Sequence, residues 1–386
     1  MRIVVVTVEP PDPFGNAASR WFYVLFRGLV ERGHDVTMLS TYGQVASRDR
    51  ALELFPRSRF DLRCFAVAGE PGLRGKLTSA VRPFSYLFSR ELHDEARRVL
   101  ARPFDVLHLE QLWSGWLGWD YADRALLNVH YLYSSDLLGI RSHGVYDGLR
   151  RRATFRAERA ILQHFPHLAT LTERLAADVR RLSQRTPQLI PLGIDTSLYD
   201  FNAQDPEGPL TLGLVGNFSW QPTHRAGVRL LTELWPRVKA RVPEARLLLV
   251  GRNAEKLMRA HAQDPTIEIH ENVPDILPYF RRIHTLLYAP EHGSGTKVKV
   301  QESMALGIPV VTNTDGAEGI PATDGQQLAI ADDNAGLVER AVELLQNPGL
   351  RRERRERARL LVEDVFGPQR ALDAVERAHA HLSTRA

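Results

Sequence analysis

The residues best suited to chemistry lie in Glu291–Gly307, EHGSGTKVKVQESMALG. The segment runs from a strand end through a glycine-rich turn into a helix predicted to begin near Thr296. Free backbone N–H groups and the positive dipole end at such a start favour a phosphate. Gly293 and Gly295 would let a ligand approach the backbone closely, and Lys297 would add positive charge one residue into the helix. Glu302 follows Gly295 by seven residues, about two turns, which sets it on the face of the turn. A carboxylate there can accept hydrogen bonds from two neighbouring hydroxyls, as a ribose diol offers. Lys299, three residues earlier, shares nearly the same face. The same residues also fit an amphipathic helix with a glycine start and an exposed Glu–Lys pair. A Walker-type loop is excluded, because the order is Gly-Thr-Lys and not Gly-Lys-Thr.

Those residues need a scaffold, and the hydrophobic pattern supplies one. Arg2–Val8 is a β-branched strand run, Pro10–Asn16 cannot extend it, and Arg20–Arg32 carries Phe22, Leu25, Phe26 and Leu29 at helix spacing. Gly33 stops that helix and Val36–Leu39 starts a new strand. The rhythm continues through strands at Asp105–Leu109, Ala125–His130 and Leu168–Leu171. Pro191–Gly208, rich in proline, Asp/Asn and glycine, reads as an interdomain linker. The pattern then begins afresh with a strand at Leu210–Val215, a loop at Gly216–Gln221, a helix around Ala226–Ala240 and a strand at Ala245–Val250. Further strands fit His284–Tyr288 and Pro309–Thr312. Strands alternating with helices imply parallel sheets, and two such domains place a ligand in the cleft between them, beyond the carboxyl ends of the strands.

Composition narrows the class. At 386 residues, 44% hydrophobic and 25% charged, the chain is an ordinary globular protein of two domains. Cys64 is the only cysteine, so there is neither an intramolecular disulfide nor a cysteine zinc cluster, and a reducing cytoplasm is the simplest setting. No apolar run approaches the roughly 20 residues of a membrane span, and the N-terminus does not read as a signal peptide. Net charge is +4, with 27 Lys/Arg against 20 Asp/Glu up to Ile190 and 23 against 26 beyond it. Six arginines face two acids in Arg141–Arg159, a basic stretch that fits either a solvated helix face or weak peripheral contact with anionic lipid.

With these motifs in hand, the chain resembles the group 1 (family 4) glycosyltransferases of the GT-B fold. The branch in question has a donor motif reading G-G-G-T-R/K-x-K-x-x-E-A-x-A. Gly293-Ser294-Gly295-Thr296-Lys297-Val298-Lys299-Val300-Gln301-Glu302-Ser303-Met304-Ala305 matches it, and Gly307-Ile308-Pro309-Val310-Val311 follows. Gly216-Asn217-Phe218-Ser219-Trp220-Gln221-Pro222 resembles the family's G-x-x-x-W-x-P loop, Val250-Gly251-Arg252 its V-G-R, and Ile190-Pro191-Leu192-Gly193-Ile194-Asp195 its I-P-N-G-V-D linker. The resemblance implies two Rossmann-like parallel-sheet domains facing a central cleft. The acceptor domain would span 1–190, the linker 191–208 and the nucleotide-sugar domain 209–368, with a last helix, 369–386, packing back on the first domain.

The implied activity is transfer of a sugar from a nucleotide-diphosphate donor to an acceptor hydroxyl on a glycan, a lipid-linked intermediate or a small natural product. Transfer would go with retention, without metal or cofactor, and with no nucleic-acid partner. Glu302 would hold the donor ribose, the backbone of Thr296, Lys297, Val298 and Lys299 the diphosphate, and Gly216 and Asn217 the glycine loop, while Arg252 and Val273 would lie near the base. Gly15 and Asn16 would face the acceptor, His130 would sit near the reacting sugar to orient or polarise a hydroxyl, and Glu110 would contact the acceptor. The chain departs from the family in two places. Ser294 stands where many members carry an acid that contacts the transferred sugar, and Glu291 is the nearest acid able to replace it. Asn217 and Thr223 stand where the commonest loop carries Arg and Lys, which leaves Lys297, helped by Arg225, to supply the charge. Trp113, Trp116 and Trp119, three residues apart, fit core packing better than sugar stacking. A dinucleotide-dependent oxidoreductase would need G-x-G-x-x-G where Glu9–Gly15 stands. A sugar-nucleotide epimerase, a pseudo-glycosyltransferase or a binding subunit on the same scaffold are the other readings.

Overall fold

In the computed structural model, residues 1–13, 15–55, 58–68, 79, 81–137 and 144–383 are described. The chain forms two compact units, Met1–Gly193 with Pro368–Ala386, and Ile194–Gly367.

The first unit carries seven strands: β1 (Arg2–Thr7), β2 (Asp35–Tyr42), β3 (Phe60–Ala66), β4 (Val106–Glu110), β5 (Ala125–Val129), β6 (His167–Thr170) and β7 (Gln188–Leu189). They form one sheet in the order β3-β2-β1-β4-β5-β6-β7, with every neighbouring pair parallel. β4 and β5 are buried along their whole length, as strands covered on both faces must be. β3 and β7 escape the sequence reading for the opposite reason. They are edge strands, half exposed, and β3 mixes Asp61 and Arg63 with its apolar residues. Beneath β4–β6 the core takes in Trp113, Trp116, Leu127, Ile161 and Phe165, with Trp119 packed against it, so the tryptophan series is structural.

The terminal helix, Pro368–Ser383, belongs to this unit. It buries Leu372, Val375, Ala378 and Leu382 against the Ala17–Glu31 helix, whose Gly28 leaves no room for a side chain: a Cβ there would stand 2.4 Å from Leu372 Cδ1. Arg32 Nη1 pairs with Asp373 at 2.7 Å, and His34 Nε2 meets Glu376 Oε1 at 2.8 Å.

The second unit holds β8 (Thr211–Val215), β9 (Arg246–Gly251), β10 (Ile267–Glu271), β11 (Thr285–Tyr288), β12 (Val310–Thr312) and β13 (Ala329–Ile330), in the order β10-β9-β8-β11-β12-β13 and again all parallel. Residues 194–208 are not a free tether. Ile194 N–H donates to Phe366 O at 2.7 Å and Asn202 N–H to Leu306 O at 3.2 Å; Arg351 donates to Asp205 at 2.9 Å. Prolines and glycines there end regular structure without ending packing, and Ile194 and Tyr199 are buried. Among the described residues no helix is long and apolar enough to cross a membrane.

Since Leu372 closes the contact with Gly28 and is 2% exposed, Leu372→Ala is expected to lower unfolding stability by about 3 kcal/mol. Urea unfolding followed by circular dichroism measures it, and an unchanged midpoint would mean that the terminal helix adds little to the core.

Candidate functional site

In each sheet the order of strand addition reverses once, between β1 and β4 and between β8 and β11. Loops leaving the carboxyl ends beside such a point diverge and leave a crevice. In the second unit those loops begin at Gly216 after β8 and at Ala289 after β11. Arg252 and Val273 follow the neighbouring ends of β9 and β10. The residues singled out from the sequence for the donor therefore share one edge of this sheet.

The Glu291–Lys297 loop is held from inside. Gly295 has φ of 76°, a backbone state that favours glycine. The helix opens at Val298, two residues later than the spacing suggested, so Lys297 precedes it and is not one residue inside. Lys297 is 8% exposed, and its ammonium turns back on the loop, donating to Gly293 O at 3.2 Å and to Gly295 O. It pairs with Glu318 at 3.5 Å. Glu318, buried as well, accepts from Gly295 N–H at 3.2 Å. Glu291 pairs instead with Arg225, both over a third exposed. That leaves Ser294, half-buried, with Glu318 bonded to the residue beside it.

Behind the loop, Glu302 is 5% exposed and accepts from the Tyr199 hydroxyl at 3.0 Å. Lys299 donates to Thr223 Oγ1 at 2.7 Å and lies 3.9 Å over the Tyr288 ring. Burial, reinforced by the charge of Lys297, pulls its ammonium down to about 7. Lys299 also explains Gly216: a Cβ there would stand 2.9 Å from Lys299 Cε. Gly251 is more constrained still, at φ 144°, with its own Cβ position 1.9 Å from Gly216 O. Asn217 Oδ1 accepts from Ser219 N–H at 3.0 Å, and Phe218 N–H donates to the carbonyl of the exposed Arg252 at 3.0 Å. Close backbone packing thus builds this edge, with a buried carboxylate, the buried Lys297 ammonium and the half-buried Lys299 beside it.

The first unit gathers a second cluster at the end of β4 and β5. Glu110 is fully buried. Asn128 Nδ2 donates to it at 3.2 Å, His130 Nε2 bonds Oε2, and His108 Nε2 stands 3.0 Å from Oε1. Burial would raise this carboxyl, but the charge of His130 and hydrogen bonds from His108 and His130 prevail and bring it down to about 2. With both oxygens so engaged, Glu110 reaches a ligand only through His130; a direct contact with an acceptor hydroxyl does not fit its burial. His130 keeps a side chain 9% exposed.

Gly15 and Asn16 lie in the loop after β1. Asn16 caps the Ala17–Glu31 helix, its Oδ1 accepting from Ala18 and Ser19 N–H at 3.0 and 3.1 Å. A Cβ on Gly15 would stand 2.7 Å from Ser19 Cβ. Both residues shape the loop, whatever else they do. Sequence spacing missed Tyr199, Tyr288, Glu318, His108 and Asn128. Glu318 is 16 residues past Glu302 and across a strand, and no local period links them. The only signal was indirect: an acid between glycines in Gly316–Gly319, following the strand that pairs with β11.

Two family models match the chain: "Glycosyl transferase 4-like domain" over residues 17–193 and "Glycosyl transferases group 1" over 209–347. Compared by sequence, no curated protein matches it. Solved structures match over the whole length. Sucrose-phosphate synthase from Thermosynechococcus elongatus superposes with a TM-score of 0.75 at 17% identity, covering 100% of both chains. HepE of Anabaena, in complex with UDP-glucose, gives 0.70 at 11%, again with 100% of both covered. WaaG, a glycosyltransferase involved in lipopolysaccharide biosynthesis, gives 0.67 at 17%, covering 96% of this chain and 98% of its own.

The Glu110 cluster carries a pH signature. The folded carboxyl, at about 2, lies below its ordinary value of 4.5, so its stabilisation is complete above that value and is lost as pH falls towards 2. Glu110→Gln is expected to cost about 3 kcal/mol at pH 7, since it strips the partner from buried donors, and to flatten stability between pH 4.5 and 2. Urea midpoints across that range test this, and parallel curves for both proteins would refute the assignment.

Proposed function

This chain belongs to the group 1 glycosyltransferases and has the GT-B fold, and from that premise we propose that it transfers a sugar from a nucleoside-diphosphate donor to an acceptor hydroxyl. The observation that carries the proposal is Glu302, a buried carboxylate one helix turn behind the Gly293–Lys297 loop at the reversal edge of the second sheet. Its oxygens suit a ribose diol. The loop amides and the helix start suit the diphosphate, with Lys299 as the half-buried cation beside Gly216. Arg252 and Val273, beyond β9 and β10, suit the base. HepE, solved with UDP-glucose, shares this fold, which supports a nucleotide sugar as co-substrate. Amides and lysines in place of a metal would stabilise the leaving diphosphate, and retention follows from the family resemblance.

In this reading the first unit takes the acceptor, which is a glycan, a lipid-linked intermediate or a small molecule. His130 orients its hydroxyl while Glu110 fixes the ring. Glu291 pairs with Arg225 and would have to leave that pair to act on the sugar.

Titration calorimetry with UDP, GDP, ADP and TDP sugars tests the donor site. One of them should bind the wild type, and Glu302→Ala should weaken that binding at least about a hundredfold, the scale of two hydrogen bonds to a charged group, while the fold persists by circular dichroism. Undiminished affinity in the folded variant removes Glu302 from the ribose.

The basic stretch flagged in the sequence falls on the Gly144–His164 helix, Arg141 itself lying outside the described residues. Its first turns expose Val145, Tyr146 and Leu149 beside Arg150 and Arg152, a mixture suited to peripheral contact with an anionic membrane at its cytoplasmic face. Co-sedimentation should show binding to phosphatidylglycerol vesicles that fades with salt and with Arg150→Glu/Arg152→Glu. Equal binding to phosphatidylcholine, or none, overturns this contact.

A further inference from the structure

The Glu110 cluster does not end at His108. Behind it, on the terminal helix, His379 Nε2 stands 2.9 Å from His108 Nδ1, with the two rings nearly perpendicular at 89°. Both side chains are fully buried. Four titratable groups therefore run in one line, His379, His108, Glu110 and His130, of which only His130 keeps any exposure. Burial holds the His379 ring well below its ordinary pKa, so it is neutral. A pair of buried imidazoles is a poor way to fill a core that Leu and Phe would fill without polar atoms.

The line has one self-consistent set of protons. His108 Nε2 faces an ionised carboxylate oxygen at 3.0 Å, although off the axis of a straight hydrogen bond. A bare nitrogen there would set lone pair against negative charge, so Nε2 carries hydrogen. If His108 is neutral, its Nδ1 must accept, and His379 Nε2–H must donate. That leaves His379 Nδ1 as a bare acceptor, and it has no hydrogen-bond partner. If His108 were doubly protonated instead, His379 would have to bury an Nδ1–H with nothing to receive it, the costlier defect. At the far end, Glu110 Oε2 meets His130 Nε2, so His130 carries its hydrogen on Nε2 and presents Nδ1 to a ligand.

We infer that His379 is a positioning residue for sugar transfer: it fixes the tautomer of His108, which holds the Glu110 carboxylate, which in turn fixes which nitrogen of His130 meets the acceptor hydroxyl. The inference rests on the role given above to His130. The terminal helix thereby contributes to function as well as to the core, through one side chain that touches no substrate.

Long-range 1H–15N spectra of the histidine rings test this on the full chain without any ligand. In the wild type, His108 should show a protonated Nε2 and a bare Nδ1, and His130 a protonated Nε2. His379→Leu removes the donor and should mix the His108 tautomers and broaden or lose the His130 Nε2–H signal. His379→Gln returns an amide donor at similar reach and should restore both. Release of nucleoside diphosphate from the UDP, GDP, ADP and TDP sugars should fall about tenfold in kcat for His379→Leu, with KM for the donor within about twofold, and recover in His379→Gln. A protonated His108 Nδ1 in the wild type overturns the inference, even if the leucine variant fails to fold. So do an unchanged kcat in folded His379→Leu, or an equal loss in both variants, which would mark packing alone. His130→Ala separates the premises: full turnover there removes the role of His130 and this inference with it, whereas lost turnover beside an active His379→Leu removes only the inference.

Discussion

Parallel pairing forces every strand of a sheet to end at the same edge, and that constraint governs where this chain can do chemistry. Both sheets obey it without exception among the described residues. Each then reverses its order of addition once, so the loops on either side of β1/β4 and β8/β11 cannot cover one another. The glycine loop after β8, the Glu291–Lys297 loop after β11 and the loop after β1 occupy such positions, and His130 follows β5, the strand next to β4. Residues over 100 positions apart in sequence, such as Glu302 and Tyr199, become partners because Arg359 of the Pro348–Val365 helix ties the 194–208 segment to the Val298–Leu306 helix.

A second constraint is electrostatic. An enclosed charge survives only when partners replace its water, and the two units solve the problem differently. Glu110 is surrounded by donors and stays ionised. Lys299 has a hydroxyl, an aromatic face and a second ammonium nearby, and so it loses much of its preference for the charged form. A ligand anion would give Lys299 back what burial removes. In the proposed donor site an anion therefore gains twice, from the loop amides and from a lysine not already neutralised by a carboxylate. Lys297, bonded to Glu318 and to two loop carbonyls, instead serves to hold the loop in shape.

The α/β alternation, the two domains and the glutamate helix were legible in the sequence, because β1, β4, β5, β8 and β9 are apolar runs and the glycine turn precedes its helix directly, whereas the strand order and its reversals were not. What stayed hidden has physical reasons. Edge strand β3 alternates charge with hydrophobe, and β7 and β13 are two residues each. Pro191–Gly208 read as an interdomain linker because its glycines and prolines announce irregular backbone, and irregular backbone can still be strapped down, as residues 194–208 are by arginines from the Pro348–Val365 helix. Lys297 was placed inside a helix it precedes, since helix starts are uncertain by a residue or two. Glu318 and His379 had no local period to reveal them; their partners come from elsewhere in the chain, the Glu291–Lys297 loop for Glu318 and β4 for His379.

Ser294 stands where the family resemblance implies an acid. An acid expected at that position would sit at the tip of the glycine loop, where a charge must be either solvated or paired. Glu291, the nearest acid in sequence, is half-exposed and bound to Arg225, so engaging a sugar would first cost it that pair. Glu318 is enclosed, bonds Gly295 N–H next to Ser294, and faces Lys297. Negative charge is thus restored to the loop from the turn after β12, while a small hydroxyl is left at the tip. Under the proposed function, a loop of this kind reads its sugar with a serine hydroxyl and backbone groups, backed by a carboxylate fixed one residue away. Neutral hydrogen bonds of that sort discriminate less sharply than an ionised acid, and sugar preference in this chain should owe more to shape than to charge.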